Sequence, residues 1–205
     1  MSNGLNVSSF LSDVSPALRQ FLQCPEFELR LSEEWGADNK EARALLRQAL
    51  SDLTKEDHSD LSSPPRSDSF SISISHCAEL GGFACVRRPR AIGFDVEIAE
   101  RVKDTVASRI STPEEKASAP SPALLWAAKE AVYKSLLGPG QPPHFTAVNI
   151  EGWLKFGQSS KFEKLNKAWE FRAVMSQTDP IPGVGIALLY SKFAFAFFYR
   201  SDLST

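Results

Sequence analysis

The chain has 205 residues, 42% of them hydrophobic and 23% charged, and a formal net charge of −2. That length supports a buried core in one large domain or two small ones, and that charge excludes a broad basic surface for nucleic acid, so any basic site is local. Cys24, Cys77 and Cys85 stand at irregular spacings with no C-x-x-C pair, which suggests neither a disulfide framework nor a zinc site but reduced, packed thiols.

The N-terminus lacks a basic region followed by an apolar core. The most apolar stretch, GVGIALLYSKFAFAFFYR at 183–200, is interrupted by Ser191 and Lys192, so it reads as two strands joined by a turn rather than a membrane span. A cytoplasmic protein with no membrane association is expected. Residues 15–22 suggest a short helix, and FELRL at 27–31 alternates as a strand does. In DNKEARALLRQALSDL, 38–53, Ala42, Leu45, Leu46, Ala49, Leu50 and Leu53 form an apolar stripe at helical spacing, with Asp38 or Asn39 as the cap. Arg43 and Arg47 lie together beside that stripe, which alone describes a solvated helix face as well as a site.

Residues 54–69, rich in Ser, Asp and Pro, read as a loop whose single apolar residue is Leu61. FSISIS then alternates strictly, predicting a strand with Phe70, Ile72 and Ile74 inward, Ser71, Ser73 and Ser75 outward, and His76 at its end. Strands at 82–88 and 91–97 follow, and the three runs suggest an antiparallel meander. After weak helical character at 104–120, Ser121 caps a helix that begins at Pro122 and ends by Gly138. It buries Leu125, Ala128, Val132 and Leu136, while Trp126, Glu130 and Lys134 recur along an adjacent stripe. Strands are expected at 146–154, 168–175, 184–190 and 193–199. Helix then strands, repeated once, predicts an α+β fold of two similar halves, 1–90 and 91–205.

In AIGFDVEIAERV, 91–102, strand alternation puts Gly93, Asp95 and Glu97 on one face. Adjacent carboxylates repel unless solvated or joined by a cation, and the strand alone leaves both readings open. Glu130 could add a third oxygen donor for a hard cation such as Mg²⁺, which completes its shell with water and substrate phosphate. Gly93 would leave room for that ligand. Glu130 and Lys134 also form an i,i+4 pair, ordinary on a helix surface.

IGFDVE matches G-x-D-x-E and WAAKEAVYK matches W-x-x-K-E-x-x-x-K, with ISISHC and ARALLRQAL before them. In that order they resemble the 4′-phosphopantetheinyl transferases, more closely the surfactin-synthetase-activating branch than the short trimeric holo-acyl-carrier-protein synthases. The resemblance implies transfer of the phosphopantetheine arm of coenzyme A to a serine of an apo acyl or peptidyl carrier protein, releasing 3′,5′-ADP. It implies Asp95, Glu97 and Glu130 as ligands of Mg²⁺ or Mn²⁺, and Glu130 also as a candidate general base. It further implies Lys134, assisted by Lys129, on the phosphate. Arg43, Arg47, Ser75, His76 and Trp126 would then contact coenzyme A. The resemblance also implies that the halves 1–90 and 91–205 form a pseudo-dimer with the metal site in the second, and the two-half layout implies a monomer. Departures are SSPPRSDSF where a G-R-P or G-K-P element is common, with Arg66 as a substitute, and Cys77 where a serine is frequent. A relative that only binds carrier protein or coenzyme A, and an unrelated Mg²⁺-dependent phosphohydrolase, are the competing readings.

Overall fold

The computed structural model describes residues 6–36, 39–138, 141–156, 167–175 and 179–201. Its elements are α1 (Val7–Phe21), β1 (Glu28–Ser32), α2 (Lys40–Thr54), β2 (Phe70–Cys77), β3 (Leu80–Arg87), β4 (Ala91–Ile98), α3 (Asp104–Ile110), α4 (Pro113–Ser118), α5 (Pro122–Ser135), β5 (Val148–Lys155), β6 (Ala168–Met175), β7 (Asp179–Pro180), β8 (Val184–Tyr190) and β9 (Phe193–Arg200). They form a mixed α+β fold with two antiparallel sheets, ordered β1-β3-β2 and β4-β9-β8-β6-β5, with β7 added to β6. Among the described residues no helix is long and apolar enough to cross a membrane.

α1 is twice the length the sequence suggested. Asn6 caps it by accepting from the Ser9 N–H at 2.9 Å, and Phe10, Val14, Ala17 and Leu18 form a buried stripe that carries the helix through Pro16. In α2 the cap is Asn39, whose Oδ1 accepts from the Ala42 N–H; Asp38 lies outside the described residues. Leu46 and Leu50 are buried against Ile72, Phe83 and Cys85, whereas Leu45 is exposed.

The expected meander breaks after β3. β4 leaves the first sheet and pairs with β9 instead, so each sheet is drawn from one side of residue 90. The apolar face of β2 packs inward as expected, but its serine face is covered as well. Ser71, Ser73 and Ser75 point at the unpaired edge of β4, where their hydroxyls accept from the N–H groups of Ile92, Phe94 and Val96 at 3.2, 2.8 and 3.3 Å. The sequence offset is constant, so β2 and β4 run side by side in parallel, joined by side-chain hydroxyls instead of a backbone ladder. Alternation reported a real two-faced strand, but the polar face meets another strand's backbone rather than water.

The large sheet is covered on both faces. Phe193, Phe195 and Phe197 of β9 join α1 and β1 on one side, while Ala194 and Ala196 lie under α5 on the other. These alanines sit opposite Glu97 and Asp95 in the register. With Gly93 they make a shallow surface on which a helix can lie close. A Cβ at Gly93 would stand 1.7 Å from the Ala131 carbonyl oxygen, so the glycine admits the backbone of α5 rather than a ligand. Gly93→Ala is expected to push α5 away and cost about 1 to 3 kcal/mol or more, read as a lowered urea midpoint at unchanged slope.

Candidate active site

α5 starts where the sequence places it, with Ser121 Oγ accepting from the Leu124 N–H and Pro122 in the first turn. It runs across β4 so that its Trp126, Glu130 and Lys134 stripe follows the acids of the strand. At one end the Trp126 indole N–H donates to Glu97 Oε1 at 3.1 Å, and its ring meets Phe145 edge-on at 5.4 Å between centroids. At the other end Asp95, 2% exposed, is held between two donors. Lys134 Nζ lies 2.6 Å from Asp95 Oδ1, and the Ser75 hydroxyl donates to the same oxygen at 2.7 Å. Lys134 Nζ is also 3.3 Å from Ser75 Oγ and 3.9 Å from Glu130 Oε2.

Electrostatics follow from that packing. Burial, reinforced by the Asp95 charge, pushes the Glu97 carboxyl up to about 7, against the opposing pull of the Trp126 N–H and Lys134. Burial also raises Glu130, with Lys134 pulling it back and Asp95 pushing it further up. The carboxylates thus sense one another, and Lys134 supplies part of the balancing charge.

The donor set is all oxygen, as a hard cation requires, and Asp95 Oδ2 is buried without a hydrogen-bond partner. An orphaned carboxylate oxygen beside two further acids fits a cation. Yet among the described residues no group of three or more His, Cys, Asp or Glu is assembled to hold a metal. Lys134 stands between two of the three expected ligands, Asp95 and Glu130.

Beside Lys134 opens a cavity of about 400 Å³ between α2, the 61–65 loop and β2. Arg43, Arg47 and His76 line it, so three of the residues expected to bind the coenzyme share one cavity with Lys134. Arg47 is buried, its Nη2 donating to the Ser63 carbonyl at 2.5 Å, and burial lowers its pKa. It therefore fixes the loop as well as lining the cavity. Ser75 belongs to the Asp95 cluster rather than to this wall. Leu61, Pro64 and Pro65 complete the cavity, a role that loop composition alone did not signal.

Lys129, expected to assist Lys134, is turned away from it. It is 0% exposed, with Nζ between the Glu115 carboxylate at 2.9 Å and the Val148 carbonyl at 2.5 Å. One residue along a helix is a rotation of about 100°, which carries Lys129 off the face that presents Glu130. Glu115 also accepts from the Thr112 and Ile150 N–H groups at 3.0 and 2.7 Å, tying α4 and α5 to β5. The T-x-x-E capping box at 112–115 was a legible helix start; its buried partner was not.

Fold and cluster together define an α+β protein with a buried acid–lysine–serine site at a strand–helix junction, open to a cavity with basic walls, the arrangement of groups suited to handling phosphate esters. Residues 91–189 match the family model of the 4′-phosphopantetheinyl transferase superfamily. That segment contains β4, α5 and every acid of the cluster. Comparison with curated proteins gave no match.

Proposed function

We propose that this protein is a 4′-phosphopantetheinyl transferase of the two-half, surfactin-synthetase-activating kind, acting as a monomer. It moves the phosphopantetheine arm of coenzyme A to a serine of an apo acyl or peptidyl carrier protein and releases 3′,5′-ADP. The observation that carries this is the Asp95 carboxylate, buried and bracketed by Ser75 and Lys134 inside the segment that matches the superfamily. The division of the strands into two sheets at residue 90 supports the reading of 1–90 and 91–205 as two halves.

In this reading the nucleotide end of coenzyme A lies in the cavity lined by Arg43, Arg47 and His76, and its diphosphate reaches Lys134. Asp95, Glu97 and Glu130 would hold a Mg²⁺ or Mn²⁺ ion, which when bound neutralises charge on the diphosphate oxygens. Lys134 moves from Asp95 to the phosphate oxygens as the substrate enters. Glu130 accepts the proton of the attacking serine hydroxyl, directly or through water. Trp126 keeps Glu97 aimed along the strand. Trp126→Phe removes that N–H and is expected to lower turnover about 10- to 100-fold with little change in stability, read by steady-state kinetics beside thermal denaturation.

The decisive experiment incubates the protein with coenzyme A, Mg²⁺ and several apo carrier proteins and reads the carriers by intact mass. A gain of one phosphopantetheine unit is expected; no gain on any carrier would overturn the assignment. The separate reading, a relative that binds without transferring, draws on Lys134 standing between the acids. It predicts coenzyme A binding by calorimetry with no carrier modification.

A further inference from the structure

On the other side of Lys134 lies a second cavity, of about 730 Å³, between the 64–68 segment, the starts of β2 and β4, the end of β9 and the chain after α5. Its charged lining is Arg66, Arg88, Arg90, Lys134 and Arg200 against the single acid Asp68. Lys134 and Arg90 have acid partners in Asp95 and Glu26, which leaves Arg66, Arg88 and Arg200 as a local cationic patch in a chain of formal net charge −2. We propose that this cavity is a second anion-binding site, adjoining the carboxylate cluster through Lys134, which takes a phosphate monoester or diphosphate.

Arg200 gives the strongest indication. Its Nε is buried with no hydrogen-bond partner, so one guanidinium N–H has been taken from water without a protein acceptor, and burial lowers the pKa of the group. An oxyanion supplies the missing acceptor, and the planar guanidinium fork matches the spacing of phosphate oxygens. Two neighbours are pre-set. Arg88 Nε donates to the Ser67 and Phe70 carbonyls at 3.0 and 3.2 Å, and Arg90 Nη1 lies 3.1 Å from Glu26 Oε1. Arg66 is exposed at the rim.

The two cavities share Pro64, Pro65, Ile72, Lys134 and Leu137. An anion here competes with Asp95 for the Lys134 ammonium, so occupancy of the second site is coupled to the cluster.

The test is calorimetric titration of inorganic pyrophosphate into the full chain at fixed ionic strength. Arg66→Gln and Arg200→Gln are each expected to weaken one binding event by about tenfold or more, while Arg43→Gln, in the first cavity, leaves that event in place. Wild-type protein that binds no pyrophosphate, affinities unchanged in both cavity variants, or equal weakening by Arg43→Gln would overturn the site. Arg66 is exposed, so its variant stays informative if Arg200→Gln does not fold. A parallel titration with coenzyme A separates the sources of the anion. Affinity lost in the same variants identifies the coenzyme's own phosphates, and affinity retained identifies a free anion. No carrier or transfer is involved, so failure here leaves the transferase assignment standing.

Discussion

Asparagine in place of Asp95 is expected to reduce phosphopantetheine transfer about a thousandfold while leaving the protein folded. The substitution keeps the shape, and the amide oxygen still accepts from Ser75. It removes the charge that holds Lys134 and the orphaned oxygen that would meet a cation. Lys134, 23% exposed, can turn to water, which limits the cost to the fold. The measurement pairs single-turnover transfer rates with thermal denaturation. Turnover within tenfold of wild type would remove Asp95 from the chemistry.

Lys129→Met should have the opposite profile. It strands the Glu115 carboxylate, which is 7% exposed and receives two backbone N–H groups besides the ammonium. Breaking one partner of a buried ion pair costs about 3 to 5 kcal/mol, a fall in melting temperature of about 6 to 20 °C for a chain of this size. Burial pushes the Lys129 pKa down and Glu115 opposes it, so the ammonium depends on this one charged partner. Adding Glu115→Leu should restore part of the loss, which a double-mutant cycle measures. Folded Lys129→Met protein is expected to transfer at nearly the wild-type rate; a large fall in kcat without loss of stability would return Lys129 to the active site.

Periodicity found the residues that share a surface and failed where a surface's neighbour mattered. Asp95 with Glu97, and Trp126 with Glu130 and Lys134, were legible because strand and helix periods force them onto single faces. Arg43, Arg47 and His76 converge on one cavity, which the sequence suggested through motif order alone. Lys129 was grouped with Lys134 by motif, whereas its adjacency to Glu130 in sequence is divergence on a helix. The β2 serines were assigned to solvent because a hydroxyl facing a backbone and one facing water leave the same pattern. Gly93 was given to a ligand because no local signal announces an approaching helix. Motif order named Asp95, Glu97 and Glu130 as a ligand set but gave no sign that Lys134 stands between Asp95 and Glu130. Each miss concerns a partner distant in the chain.

The row of serine hydroxyls along β4 sets a phase between two segments of the chain. Hydroxyls recur every second residue, so β2 can slide against β4 only in two-residue steps, and any such step moves Ser75 away from Val96 and Asp95. Lys134 touches both members of that last pair, and a slip would therefore uncouple it from the seam. The joint works as a vernier whose final tooth is Ser75, so alignment of the two sheets is read out at the Asp95 and Lys134 atoms proposed to do the chemistry.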